Sequence, residues 1–191
     1  MNITVLDAST FGADIDLSLF AVLGNLRLID LTPPEKIAEN CEGADVIILN
    51  KVKINRTTLP VPGTVKLVCV AATGVDNVDV DYCREMGVAV CNVKGYSTDS
   101  VAQLTVTMAL SLVCHLPEYN RFVSSGDYTR SGLHNRLEPI FHELSGMTWG
   151  LVGYGNIAKR VATVADALGC HVAVCNRTPA PDRENLEIDE L

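Results

Sequence analysis

Four short apolar runs recur in the first half of the chain, and their spacing is what most constrains the fold. They are "ITVLD" (residues 3–7), "ADVIILN" (44–50), "VKLVCVAA" (65–72) and "GVAVCNV" (87–93). Each has the length of a strand, is rich in β-branched residues and is bounded by turn or polar residues. Segments with helix signals lie between them. "TPPEKIAENCEGA" offers Thr32 as a cap, prolines in the first turn and Gly43 as a stop. "NVDVDYCREMG" stops on Gly87 in the same way. Strands alternating with helices imply a parallel sheet joined by right-handed crossovers. Residues 1–95 therefore predict a small doubly wound α/β unit.

The polar stretch "KGYSTDS" (residues 94–100) interrupts this pattern. Asp99 or Ser100 can cap a helix over residues 101–116, which is apolar nearly all round and so suits a buried place or a subunit contact. "SSGDYTRSGLHNRLEP" (124–139) is polar and glycine-bearing, the composition of a surface excursion. A second α/β unit starts at "MTWGLVGYG", with "CHVAVCN" (170–176) as its second strand. The acidic end, "PAPDRENLEIDEL", predicts a loop entering a helix.

The 191 residues give room for one large or two small cores. The formal charge is −8 and no Lys/Arg cluster interrupts it, which argues against a nucleic-acid surface. The longest apolar stretch, residues 101–116, is too short for a membrane span. Met1 leads directly into a strand pattern with no leader signature, so the expectation is a cytoplasmic protein without a membrane partner. Seven cysteines occur with no CxxC pair. Cys69, Cys91, Cys114 and Cys175 lie in apolar runs and read as small buried hydrophobes in a reducing compartment. No clustered zinc ligands are apparent.

"LVGYGNIAKRV" (residues 151–161) carries chemistry. An apolar strand leads into Gly153-Tyr154-Gly155-Asn156-Ile157-Ala158, and a helix follows with Val161, Ala162, Ala165 and Leu168 on its apolar face. The first glycine permits the tight turn, and the second lets the backbone approach a pyrophosphate. The third position must be small where helix meets strand, and alanine satisfies it. The helix N-terminus then offers free N–H groups to the phosphates. Gly153, Tyr154, Gly155, Asn156 and Ile157 are accordingly the expected cofactor contacts. After the second strand, NAD-binding proteins place an acidic residue on the ribose. This chain has Asn176, Arg177 and Thr178 there, which leans toward NADP over NAD.

These segments together resemble the D-isomer-specific 2-hydroxyacid dehydrogenase family, in particular its glyoxylate/hydroxypyruvate reductase and D-glycerate dehydrogenase branches. The resemblance rests on "NKVKIN" (50–55), "VAATGVDNVDVDYCREMGVAVCNVKGYSTDSVAQLT" (70–105), "ELSGMTWGLVGYGNIAKRVATVADALG" (143–169) and "NRT" (176–178). It implies an α/β chain with a flavodoxin-like parallel-sheet domain (residues 1–98) followed by the first half of a Rossmann nucleotide-binding domain (99–191). Helix 101–116 then becomes the crossover between them and the contact of a homodimer. The resemblance also implies hydride transfer between NAD(P)H and a small 2-keto acid such as hydroxypyruvate or glyoxylate. "ATGVD" matches the loop whose N–H groups receive the substrate carboxylate, giving Thr73 and Gly74. Asn50, Lys51 and Val52 match a loop facing the substrate, and Tyr96 matches a residue near the cleft.

The family's catalytic Arg, Glu and His belong to segments that this sequence does not contain. His115, His134, His142 and His171 stand at unrelated positions. The expectation is therefore that no catalytic residue lies here. The chain would be a truncated, inactive form with an exposed sheet edge that promotes association. The alternative implied by the same resemblance is a non-catalytic, NAD(H)-sensing protein of corepressor type.

Overall fold

A computed structural model describes residues 1–190; Leu191, the last residue of the expected nucleotide domain, lies outside the described residues. The chain divides into two compact units, Met1–Tyr96 and a second from Ser97 onward.

The first unit is a five-stranded, wholly parallel sheet of β1 (Asn2–Val5), β2 (Asn25–Leu28), β3 (Val46–Leu49), β4 (Leu67–Val70) and β5 (Ala89–Asn92). The strand order β2-β1-β3-β4-β5 is the flavodoxin-like one. Two short helices, α1 (Ile37–Cys41) and α2 (Val80–Glu85), cover one face over Leu6, Ile47, Leu49, Val68 and Val70. Asp79 caps α2 by accepting from the N–H of Tyr82 at 2.9 Å. The opposite face packs Ile3, Val5 and Ile48 beneath the 3-10 segment Leu17–Leu23.

Four of the five strands fall where the apolar runs place them. The fifth, β2, lacks a signal because "NLRL" is a largely exposed edge strand with no continuous apolar run. Thr32 is not a helix cap. A 3-10 turn, Pro34–Lys36, precedes α1, while the Thr32 hydroxyl donates to the Leu6 carbonyl at 2.6 Å and accepts from Asn40 at 3.1 Å. Cys91 is exposed rather than buried, because β5 is an edge strand and Cys91 lies outside the cluster packed on that face of the first unit; Cys69, Cys114 and Cys175 are only half-buried.

The second unit begins with α3 (Thr98–Val113), three residues earlier than the sequence suggests. Ser97 occupies the cap position, and Asp99 sits within the first turn, paired with Arg160 at 2.9 Å. The helix stops before residue 116. His115 adopts a left-handed backbone (φ 50°), and Pro117 belongs to the first turn of a separate helix, α4 (Leu116–Ser124). The segment expected as an excursion therefore begins helical, with α4 and the short α5 (Asp127–Ser131), before running irregularly to β6. Nor is α3 buried all round. Ala102 and Val106 face the core, whereas Val101, Leu104, Met108 and Leu112 are exposed. No single helix among the described residues is long and apolar enough to cross a membrane.

A three-stranded parallel sheet completes this unit: β6 (Thr148–Val152), β7 (His171–Cys175) and β8 (Glu184–Asn185), in the order β6-β7-β8. Between β6 and β7 lies α6 (Asn156–Ala167), whose Val161, Ala162 and Ala165 pack with Leu151, Val172 and Val174. The two-residue β8 was not expected, since neither of its exposed polar residues carries a strand signal. The acidic end does finish in a helical turn, Ile188–Glu190.

Candidate nucleotide and anion sites

In open parallel sheets, ligands bind beyond the carboxyl ends of the strands, where the strand order reverses. In the first unit that place lies between β1 and β3, and a buried carboxylate organises it. Asp7 follows β1 and is 2% exposed. It accepts the backbone N–H groups of Asn50 (2.9 Å), Lys51 (2.6 Å) and Val52 (3.2 Å), which leave the end of β3. The Asn50 side chain donates to the carbonyl and hydroxyl of Thr10, both at 3.2 Å. Asn77 closes the loop from the other side, donating to the carbonyls of Asn50 (3.3 Å) and Val52 (2.8 Å). Asn50 and Val52 thus hold the loop in shape, and the Val52 side chain packs into the core. Lys51 is exposed and lines a cavity of about 370 Å³ together with Asp7, Thr10, Thr32 and Lys53.

Thr73 and Gly74 lie on the loop after β4. The Thr73 hydroxyl donates to the Val93 carbonyl at 3.0 Å, and the Asn92 amide donates to the Thr73 carbonyl at 2.6 Å, so this loop is stitched to the end of β5. Among the described residues no acceptor takes the N–H groups of Thr73, Gly74, Val75 and Asp76. Consecutive unpaired backbone donors of this kind can receive an anion. The Asp76 carboxylate lies beside it, 2.8 Å from where a Cβ on Gly74 would stand. Tyr96 ends the first unit, 63% exposed.

In the second unit, Gly153 turns the chain at φ 85° and donates its N–H to the Cys175 carbonyl at 2.8 Å. Gly155 is the cap residue of α6, and a Cβ there would meet nothing within 4 Å. The first hydrogen bond into the helix is Lys159 N–H to the Gly155 carbonyl, 2.9 Å, so among the described residues the N–H groups of Gly155, Asn156, Ile157 and Ala158 have no acceptor. Open space above a glycine, with free amides and the positive end of a helix, fits a dinucleotide pyrophosphate. Ala158 packs against the core, as its position requires. Asn156 is exposed and Ile157 is 38% exposed, so both border the turn.

Tyr154 contributes through its backbone, because its ring points inward. Its N–H donates to Asn176 Oδ1 at 3.3 Å, and Asn176 Nδ2 donates to the Thr178 carbonyl at 2.8 Å. An aspartate at 176 would lack that second bond. Arg177 and Thr178 project at the surface beyond β7.

Residues 9–165 match the family described as "D-isomer specific 2-hydroxyacid dehydrogenase, catalytic domain". The chain belongs to this family. A glycerate dehydrogenase of Methylorubrum extorquens is 32% identical over 154 residues, covering 81% of this chain and 49% of the relative. A hydroxypyruvate reductase of Blautia hydrogenotrophica is 30% identical over 200 residues, covering 100% and 62%. Among solved structures, an acyclic imino acid reductase in complex with NADPH and D-arginine superposes with a TM-score of 0.83, at 20% identity, covering 100% of this chain and 61% of that one. The chain thus spans from about half (49%) to less than two thirds (62%) of the length of these proteins.

Sequence reasoning missed four residues that shape the sites of this dehydrogenase-family chain: Asp7, Asn77, Asp166 and Arg183. Asp7 had a readable signal, an acid directly after an apolar strand. Arg183 had none. Its guanidinium grips Asp166 of α6 with two bonds (2.8 and 2.6 Å) and donates from Nε to the Tyr154 hydroxyl at 2.9 Å. The hydrogen bond from Arg183 holds the Asp166 carboxyl below its ordinary value of 3.8. The side chains are 21% and 43% exposed, so solvent screens the pair. Arg183→Ala is expected to cost about 1 kcal/mol of stability near neutral pH. Because the folded carboxyl titrates below 3.8, this contribution is complete above that value and fades as pH falls through the folded one. Melting curves should show the gap between variant and wild type narrowing as pH falls below 3.8, with the part due to the Tyr154 hydroxyl left over. A gap that does not narrow at all as pH falls below 3.8 would remove the ion pair as its cause.

Proposed function

We propose that this chain carries the substrate-anion and pyrophosphate sites of a 2-keto acid reductase of the hydroxypyruvate or glyoxylate type. Family membership supports an oxidoreductase acting on 2-hydroxy acids, and the names of the relatives support the substrate class. The observation that carries the reading is the turn from β6 to α6, with unpaired amides over residues 155–158 and open space at Gly155. A nicotinamide dinucleotide, when bound, supplies or accepts the hydride at the keto carbon. Gly153, Gly155, Asn156 and Ile157 hold its pyrophosphate, and Tyr154 fixes the turn from beneath. The amides of Thr73 and Gly74 receive the substrate carboxylate, displacing the Asp76 side chain. Lys51 adds positive charge at the end of β3. The Arg, Glu and His of the family's proton chemistry are assigned to no residue of this chain. The exposed Val101, Leu104, Met108 and Leu112 on α3 give a second copy an apolar surface to bury.

NADP is preferred to NAD in this reading, because Arg177 and Thr178 border the ribose position and no carboxylate stands there to repel a 2′-phosphate. Calorimetric titration with NADPH and NADH tests it. NADPH should bind more tightly, and Arg177→Ala should weaken NADPH about tenfold while leaving NADH unchanged. Equal losses for both nucleotides would assign Arg177 to the shared pyrophosphate. Binding of neither nucleotide to the wild-type chain would overturn the reading. In the whole protein, nucleotide binding with no turnover of hydroxypyruvate or glyoxylate would favour the corepressor-type sensor.

A further inference from the structure

The first unit holds a pair of cysteines that neither proposed site uses. Cys69 on β4 and Cys91 on β5 are register partners in adjacent parallel strands, so both side chains leave the same face of the sheet. Their sulfurs are 3.5 Å apart, with the Cys91 thiol donating to Cys69. Adjacent strands run about 4.8 Å apart, inside the Cα separation that a disulfide spans. Closing the bond needs the sulfurs to approach by about 1.5 Å from their present separation. The pair is also asymmetric. Cys91 is exposed on an edge strand, while Cys69 is half-buried beside it.

We propose that Cys69 and Cys91 form a cross-strand dithiol, a covalent modification site for small-molecule disulfides and for trivalent arsenicals. The Cys91 thiolate attacks an incoming disulfide, forms a mixed disulfide and releases one thiol. Cys69, deprotonated, attacks Cys91 Sγ and releases the second thiol. The protein loses two thiol protons and gains one S–S bond, and the disulfide is reduced to two thiols. Burial pushes the Cys69 thiol up to about 12, so it stays protonated at neutral pH and acts second, from within the mixed disulfide. The closed bond joins the strands whose ends carry Thr73 and Asn92. Oxidation therefore ties the loop proposed to receive the substrate carboxylate more firmly to the end of β5.

The 191-residue chain is equilibrated with glutathione disulfide, alkylated without unfolding, and digested with trypsin unreduced. Cleavage after Lys66, Arg84 and Lys94 leaves Cys69 and Cys91 on separate peptides, 67–84 and 85–94. The expected product is these two peptides joined, with fragmentation placing the bond at Cys69 and not at Cys83. Cys69→Ala should instead hold one glutathione on Cys91. Phenylarsine oxide should bind the wild type with 1:1 stoichiometry, at least tenfold more tightly than it binds Cys69→Ala or Cys91→Ser. The wild-type peptide map does not depend on either variant folding. Joined peptides involving other cysteines, or Cys69 and Cys91 alkylated independently after oxidation, would overturn the proposal.

Discussion

Gly155→Val is expected to abolish tight nucleotide binding while leaving the fold intact. Gly155 has an ordinary extended backbone, φ −83° and ψ −171°, which valine adopts readily. Among the described residues, no atom lies within 4 Å of where its Cβ would stand. The space it fills is the one a pyrophosphate would occupy, and the branched side chain also shields the amides of α6. We expect NADPH affinity to fall about 100-fold, roughly 2.7 kcal/mol, with stability changed by less than about 0.5 kcal/mol. Calorimetry and a melting curve on the same preparation separate the two quantities. Wild-type affinity in a folded Gly155→Val protein would mean that this turn does not contact the nucleotide. Gly153 provides the contrast. Its φ of 85° is strained for any residue with a Cβ, so substitution there acts on stability first.

Asp7→Ala should be the most destabilising single substitution at the carboxyl edge of the first sheet. It strips the acceptor from the N–H groups of Asn50, Lys51 and Val52 in a part-buried place. Hydrogen bonds to a charged acceptor contribute about 1.5–3 kcal/mol each, and donors left buried without a partner are costly. Only the bond from Val52 is fully buried and those from Asn50 and Lys51 are part-buried, so a total of about 3–5 kcal/mol is expected, not three full increments. That is a large share of the 5–15 kcal/mol typical of a whole domain. Asp7→Asn keeps one good acceptor oxygen but turns an amide NH₂ toward the remaining donors, and should lie between. Urea unfolding of the three proteins measures the series. A loss below about 1 kcal/mol in Asp7→Ala would show that the loop is held by Asn77 and the packing of Val52 instead.

The sequence made the repeating architecture readable because buried parallel strands need β-branched runs, and four of these stand out in the first unit. It hid β2, whose exposed edge position removes the need for such a run, and β8, which is two polar residues long. It misplaced the ends of α3 because helix propensity does not foresee the left-handed turn at His115. The glycine turn was legible since its residue types answer to local backbone geometry. The supports around it were not. Arg183 reaches Asp166 across 17 residues, and Asn77 reaches Val52 across 25, so only the folded chain reveals either pairing. The expectation that Cys91 is buried followed from its apolar neighbours, and failed because an edge strand can be apolar and still lack cover on one face.

The Asp7 contact also sets an order in time. Its last partner, Val52, lies 45 residues further along the chain. At about 5–20 residues per second during synthesis, roughly 2–9 s pass between the emergence of the carboxylate and that of Val52. During that interval β2 and β3 are added to the chain, and the loop that closes over the end of β1 comes last. The Asp7 carboxylate therefore gains its three N–H partners only once β3 and the loop after it have been made, and before β4 and β5 follow.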